Sequence, residues 1–265
     1  MKDDTVGIAC DWGTSNLRVY RLGPNAKIME KRDFSAGITT IKNKNFEDTF
    51  TKATQDWLDE YADIPITISG MAGSRQGWKE APYLPCPANV LTIANNLTPI
   101  RLRSGRIVWL TPGLSYTNSN GLPDVMRGEE VQYFGAQQWL NQHRMEPELL
   151  CFPGTHNKWL PFKPDELGPF STTMSGELFE LLSKQSILAH SIDPEANWND
   201  TAFLAGIDHA TRPGGLLHHL FSVRSRNLSG EHTGAAGESY LSGLIIGHEL
   251  SKMATAPATS VGRMG

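Results

Sequence analysis

The 265-residue sequence holds only three cysteines, no apolar run of bilayer length and no marked excess of charge, and each shortage removes a class of protein. Cys10, Cys86 and Cys151 are odd in number and far apart, with no CxxC pair and no metal-ligand spacing, which excludes a disulfide scaffold and a cysteine-based metal site. They read as reduced, mostly buried thiols. No stretch approaches the ~20 consecutive apolar residues that cross a bilayer. The opening Met-Lys-Asp-Asp leads straight into a strand pattern rather than a signal peptide, so the expected address is cytoplasmic, with no membrane partner. A formal net charge of -4 gives no general attraction to nucleic acid. An acidic chain that binds phosphate must do so locally.

What remains is an ordinary globular composition, 39% apolar and 20% charged, in a chain long enough for two domains of roughly 100–150 residues each. Val6–Cys10 and Leu17–Leu22 are short β-rich runs separated by Asp-Trp-Gly-Thr-Ser-Asn, a strand, turn and strand, and Lys27–Asp33 adds a third strand. Apolar or aromatic residues at 46, 50, 53, 57, 58 and 61 give Phe46–Tyr61 a helical rhythm; Pro65–Ser69 is then a strand running into the glycine-rich Gly70–Ser74. Arg106–Leu110 is a further strand, 112–123 a polar loop, and Glu129–Leu140 an amphipathic helix entered through Gly128. The order then restarts. Leu149–Phe152, a Pro-Gly-Thr-His turn and Lys158–Phe162 form a second strand, turn and strand, followed by helices near 175–189, 198–210, 215–222 and 238–253.

The restart is also visible residue by residue. Cys10-Asp-Trp-Gly-Thr-Ser-Asn16 and Cys151-Phe-Pro-Gly-Thr-His-Asn157 share the pattern C-x-x-G-T-x-N, each after an apolar strand, which points to a duplicated domain. A turn with glycine at its bend lets backbone approach a ligand closely, and consecutive N–H groups there form an anion-binding concavity. Gly13 and Gly154 supply the bends, and Thr14, Ser15, Thr155 and Asn157 add side-chain donors. Either turn alone is also an ordinary hairpin; two copies facing each other would grip a polyphosphate from both sides. Asp11, just before the first turn, suits Mg²⁺ held directly or through water, or equally a turn-forming aspartate. Arg18 and Lys158 on the returning strands suit phosphate charge or pairing with an acid. His156 suits a phosphate contact or a local hydrogen bond.

Phosphoryl transfer to an alcohol also needs a carboxylate to take the hydroxyl proton. Met126-Arg-Gly-Glu-Glu130 places two carboxylates and an arginine at a helix entrance, where acids are also favoured by the helix dipole alone.

Six segments carry a family resemblance: Asp11–Arg18; Gly70–Ser74 with Gly77-Trp-Lys79 and Ala81–Leu84; Met126–Glu130; Pro153–Trp159; Met174–Leu178; and Leu241–Gly247. Together they resemble the 2-dehydro-3-deoxygalactonokinase family over most of the chain. The resemblance implies an α/β, two-domain actin-like ATPase (ribonuclease H-like) fold with duplicated β-hairpin phosphate motifs. It also implies ATP and Mg²⁺ as cofactors and phosphorylation of 2-dehydro-3-deoxy-D-galactonate at its 6-hydroxyl, in galactonate catabolism. Asp11, Gly13, Thr14, Ser15 and Arg18 then belong to the first phosphate motif, with Asp11 as the metal ligand. Gly154, Thr155, His156 and Lys158 belong to the second. Glu129 after Gly128 is the nearest counterpart of the catalytic aspartate in related sugar kinases, with Glu130 and Asp11 as competing bases. Ser74, Lys79 and Arg127 are expected to hold the anionic keto acid, Trp78 and Lys79 being equally a packed aromatic and a solvated lysine. Ser175 is expected to cap a helix, with Glu177 lining the cleft.

These readings set the first domain at 1–125, the second at 126–253 and a disordered tail at 254–265, with a homodimer compatible. Family members continue past the last helix with a glycine-rich adenosine motif that has no counterpart here, and Gly230–Gly237 reads as a loop instead. The competing expectation is therefore a shortened, non-catalytic or weakly active relative that binds sugar acid or phosphate.

Overall fold

A computed structural model describes residues 4–253; the expected tail at 254–265 lies outside the described residues. The chain divides into two compact units. Unit 1 runs to Leu149 and includes Leu160–Phe170; unit 2 is Leu150–Trp159 and the residues from Ser171 onward.

Unit 1 contains β1 (Gly7–Trp12), β2 (Leu17–Leu22), β3 (Ile28–Phe34), α1 (Phe46–Glu60), β4 (Ile66–Gly70), β5 (Tyr83–Pro85), α2 (Val90–Ala94), β6 (Thr98–Arg101), β7 (Ile107–Leu110), β8 (Gly113–Thr117), β9 (Pro123–Met126) and α3 (Glu129–Gln142). Its main sheet has the order β3-β2-β1-β4-β7-β6, with β1, β4 and β7 parallel and β2, β3 and β6 antiparallel to their neighbours. This is the actin-like, ribonuclease H-like arrangement. Alternation decides which residues reach the core: Ile8, Cys10 and Trp12 of β1 are buried in the cluster that contains Phe46, Phe50, Ala53 and Trp57 of α1. Those four helix positions fall at i, i+4, i+7 and i+11, one apolar stripe. Trp12 is fully buried, donates its indole N–H to Ala36 O at 2.8 Å and meets Phe46 and Trp78 edge to face. Because successive strand residues point to opposite faces, Asp11 is left on the side away from this cluster.

Unit 2 begins with β10 (Leu149–Phe152), β11 (Asn157–Pro161) and β12 (Ser171–Thr173), adjacent in that order. It continues with α4 (Ser175–Gln185), α5 (Asp200–Ala210), α6 (Gly215–Leu228) and α7 (Gly234–Met253). Its core gathers Leu188, Val223, Tyr240, Leu241, Leu244 and Ile245. α5 and α7 cross so closely that a Cβ on Gly243 would lie 2.0 Å from Phe203 O, which accounts for the small residues in the Leu241–Gly247 segment.

Several expectations need correction. Residues 112–123 are not simply a polar loop: they contain β8 and lead into β9, whose antiparallel pairing joins β5 in a second, three-stranded sheet. α3 groups with unit 1, where Tyr133 Oη accepts the Lys163 N–H at 3.0 Å and Gln137 Nε2 donates to Lys163 O at 2.6 Å. The 230–237 loop ends early, since α7 starts at Gly234. The helix expected over 175–189 stops at Gln185, and a short 3-10 turn follows at Ile187–Ser191. Of the thiols only Cys10 is buried; Cys86 is half-buried and Cys151 exposed. Among the described residues no helix is long and apolar enough to cross a membrane.

Candidate active site

The first C-x-x-G-T-x-N copy links β1 to β2 and is closed by the Gly13 N–H donating to Asn16 O at 2.9 Å. The segment after β3 then consumes the turn's carbonyls: Gly37 N–H donates to Ser15 O, Ile38 N–H to Gly13 O and Thr39 N–H to Thr14 O. The amides of Thr14 and Ser15 donate to no protein group among the described residues, and both residues are exposed. With acceptors occupied and donors open, the turn presents positive potential outward. Asp11 pairs with Arg18 across the β1–β2 register, Oδ2 to Nη1 at 3.0 Å, while Arg18 Nε reaches Asp33 at 3.3 Å. Asp11 Oδ1 accepts no protein hydrogen bond among the described residues. Asp11, Arg18, Lys31, Ser69, Gly128 and Gln132 contribute to the lining of one cavity of ≈ 710 Å³.

The α3 entrance is the second component. Gly128, with φ at +112°, brings its backbone against β4, where a Cβ would lie 3.3 Å from Gly70 Cα. That conformation favours glycine. Glu130 is fully buried, and its Oε2 accepts the Gly128 N–H at 2.6 Å, with Thr111 Oγ1 at a long 3.5 Å from Oε1. Burial pushes its carboxyl up to about 7; the hydrogen bonds from the Glu130 and Gly128 amides oppose this, the Glu129 charge adds to it and Arg127 opposes it. Glu129 is half-buried, and its Oε2 accepts the Arg127 N–H at 3.2 Å. The two adjacent acids thus differ in access to solvent.

Arg127 and Ser74 are buried, at 8% and 7% exposure. Arg127 Nη2 donates to Ala81 O at 2.8 Å and its guanidinium stacks on Tyr83 at 4.3 Å, yet its Nε and Nη1 have no partner, nor does Ser74 Oγ, among the described residues. Gly73 lies directly against the guanidinium, since a Cβ there would be 2.7 Å from Nη1. A buried donor left unpaired costs about 1–3 kcal/mol, so these three atoms around one loop call for partners that the described residues do not supply. Lys79 is not brought to them: it is exposed and donates to Pro99 O at 2.8 Å.

The second turn, in unit 2, repeats the logic with different atoms. Gly154 N–H donates to the side-chain Oδ1 of Asn157 at 2.9 Å, and Thr155 O accepts the Glu177 N–H at 2.9 Å. Gly176 backs this turn as Gly37 backs the first: a Cβ on Gly176 would lie 2.2 Å from Gly154 O, and one on Gly37 2.2 Å from Thr14 O. His156 Nε2 is 2.5 Å from Glu177 Oε2 in an exposed pair. Lys158 is buried at 4%, on the strand face opposite Asn157 and Trp159, and its Nζ lies 3.5 Å from His156 O. Ser175 does not cap α4; Met174 precedes that helix and no side chain caps it.

Sequence reasoning missed Gly37, Gly176 and Thr111. A glycine 23 residues after Thr14 and 21 residues after Thr155, at nearly matching offsets from the repeated Gly-Thr pair, was the available signal. Among the described residues no group of three or more His, Cys, Asp or Glu could hold a metal. The open Asp11 Oδ1 suits an ion that keeps most of its ligands as water and phosphate oxygen, as Mg²⁺ does.

A family model described as 2-keto-3-deoxy-galactonokinase matches residues 11–263. The chain is 36% identical over 247 residues to the 2-dehydro-3-deoxygalactonokinase of Escherichia coli (strain K12), covering 93% of this chain and 80% of the relative. It is 37% identical to a protein of Rhizobium meliloti (strain 1021) named as a probable 2-dehydro-3-deoxygalactonokinase, covering 92% and 78%. The crystal structure of a candidate 2-dehydro-3-deoxygalactonokinase from Sinorhizobium meliloti superposes with a TM-score of 0.82 at 35% identity, covering 94% of this chain and 81% of that one.

Proposed function

The chain belongs to the 2-keto-3-deoxy-galactonokinase family, and on that premise we propose how its residues divide the transfer of a phosphoryl group from ATP to the 6-hydroxyl of 2-dehydro-3-deoxygalactonate. Its match to named kinases over more than nine-tenths of its length favours this activity over a non-catalytic binder.

The observation that carries the substrate assignment is the buried, half-satisfied guanidinium of Arg127 beside an equally unsatisfied Ser74. A keto acid offers a carboxylate and hydroxyls. The carboxylate takes the charge-assisted hydrogen bonds that Arg127 lacks, and Ser74 Oγ pairs with a substrate oxygen. Tyr83, 43% exposed and stacked on Arg127, is the side chain that yields to admit it.

Glu129 is the general base. It follows Arg127 by two residues, is half-buried rather than sealed, and so reaches a substrate hydroxyl where the fully buried Glu130 does not. Glu130 instead holds the Gly128 N–H and shapes the helix entrance. The amides of Thr14 and Ser15 in unit 1 and of Thr155 and His156 in unit 2, which donate to no protein group among the described residues, each hold phosphate oxygens, and Arg18 balances phosphate charge while orienting Asp11. Asp11 Oδ1 would hold Mg²⁺, which would supply charge neutralisation to the phosphate.

A coupled assay with ATP and 2-dehydro-3-deoxygalactonate tests the reading. Glu129→Gln lowers kcat about 10²–10⁴-fold with both KM values nearly unchanged, the loss expected of a general base. Arg127→Met raises KM for the sugar acid and leaves KM for ATP in place. Wild-type turnover in Glu129→Gln removes it as base, and an unmoved sugar-acid KM in Arg127→Met removes the carboxylate site.

A further inference from the structure

The two turns are closed by chemically different acceptors. Gly13 donates to a backbone carbonyl, which the peptide plane holds in place, whereas Gly154 donates to the Asn157 side-chain amide, which is free to rotate or flip unless something orients it. That something is on α7. Asn157 Nδ2 donates to both carboxylate oxygens of Glu249 at 3.0 Å each, and only the orientation that does so leaves Oδ1 facing the Gly154 N–H.

Glu249 is itself held from several sides. It is 8% exposed and also accepts the Trp159 indole N–H and the Thr173 hydroxyl, each at 2.5 Å. Burial alone would raise its pKa, but hydrogen bonds from Ser175, Thr173, Trp159 and Asn157 outweigh that and hold it below the ordinary value. It is a carboxylate at neutral pH, unable to donate, and therefore dictates which end of the Asn157 amide turns toward it.

We infer that Glu249 is a positioning residue for phosphoryl transfer: from α7 it locks the Asn157 amide so that Oδ1 closes the Gly154–Thr155 turn and presents that turn's donors to phosphate. The inference rests on the reading of this turn as a phosphate site. It assigns a role in nucleotide handling to a residue that lies 92 positions from Asn157 in sequence and touches no reacting atom.

The test is a polarity exchange between the two side chains, made in the full chain. In Glu249→Gln the acceptor Oε1 is claimed by Trp159 and Thr173, so an NH₂ group faces the Asn157 NH₂. In Asn157→Asp two carboxylates face each other. Each single variant lowers kcat/KM for ATP about 10–100-fold, as loss of a charge-assisted hydrogen bond implies, with KM for the sugar acid within about twofold of wild type. In the double variant, Glu249→Gln with Asn157→Asp, the amide introduced on α7 donates to the carboxylate introduced on β11. That carboxylate still accepts the Gly154 N–H, so kcat/KM for ATP recovers most of the loss. Urea unfolding of all four proteins accompanies the kinetics. Wild-type ATP kinetics in Glu249→Gln, or a double variant at least as impaired as the singles, overturns the inference. Equal losses toward both substrates in step with lost stability do so too, since they mark a merely structural residue. If the wild-type chain itself shows no sugar-acid-dependent turnover, the phosphate-site reading fails and this inference with it; turnover in wild type with an insensitive Glu249→Gln fails this inference alone.

Discussion

Glu130 Oε2 accepts the Gly128 N–H at 2.6 Å, folding a fully buried carboxyl back onto the loop that leads into its own helix. Burial raises this carboxyl from an ordinary 4.5 to about 7. The folded state therefore prefers the protonated form, and stability is lost as pH rises from about 4.5 through about 7, by about 3 kcal/mol in full. Glu130→Gln keeps an acceptor for Gly128 and removes the titration. Urea unfolding at about pH 5 and about pH 8 is expected to give a variant that matches wild type at the lower pH and exceeds it at the higher. A variant less stable at both would mean that the ionised carboxylate is what unit 1 requires.

Gly176 lies in the first turn of α4, where alanine by propensity alone would stabilise a helix by up to about 1 kcal/mol. The space a Cβ would need is nevertheless taken by the Gly154–Thr155 turn, with Gly154 O 2.2 Å away. Gly176→Ala and its counterpart Gly37→Ala are each expected to raise KM for ATP about tenfold or more, the factor equivalent to about 1.4 kcal/mol, with KM for the sugar acid little changed. Steady-state kinetics with each substrate varied in turn checks this. An alanine that leaves ATP kinetics intact and raises the melting temperature would show that the turn can retreat freely.

In unit 2, His209, His232 and His248 all lie below the ordinary histidine pKa. Burial is the main cause in each, reinforced by His219, Arg226, Arg212 and His218 around His209, by Arg226 against Glu231 around His232, and by His219 and Lys252 around His248. His219 Nδ1 and His248 Nε2 are 2.9 Å apart, a pair that one proton satisfies and a second strains. With folded pKa values depressed, their contribution is present above about pH 6.5 and lost as pH falls through the folded values. Amide exchange, corrected for intrinsic rates, is expected to show α5–α7 losing protection between about pH 7.5 and about pH 5.5 while β1 and β4 hold theirs. Uniform loss in both units would assign acid lability elsewhere.

Much of the fold was legible because its signals are periodic. The alternation in Leu17–Leu22 and the helical spacing of Phe46, Phe50, Ala53 and Trp57 each extend far enough to declare their element, and the observed bounds follow them closely. β5, with three residues, and α2, with five, barely exceed one repeat of their period, so no window could reveal them. β8 was hidden among serine, asparagine and proline because its strand character comes from pairing with β5 and β9 rather than from its own residues. At the site, the Gly-Thr turns announced themselves through repetition. Arg127 and Ser74 were readable as residue types, but their unmet hydrogen bonds exist only in three dimensions. The burial of Lys158 was not legible: one step along a strand reverses the face, and a lysine placed one position earlier than Arg18 in its hairpin does not share the exposure of Arg18.

The backing of the first turn has a consequence for what can enter it. Gly13, Thr14 and Ser15 have all given up their carbonyls to Gly37, Ile38 and Thr39, while the amides of Thr14 and Ser15 stay open. A bare sodium or magnesium ion meets only carbonyls already engaged in hydrogen bonds there, whereas an oxyanion meets two amides without a protein acceptor among the described residues. The turn therefore favours visitors by sign before it sorts them by shape, an oxyanion over a bare cation.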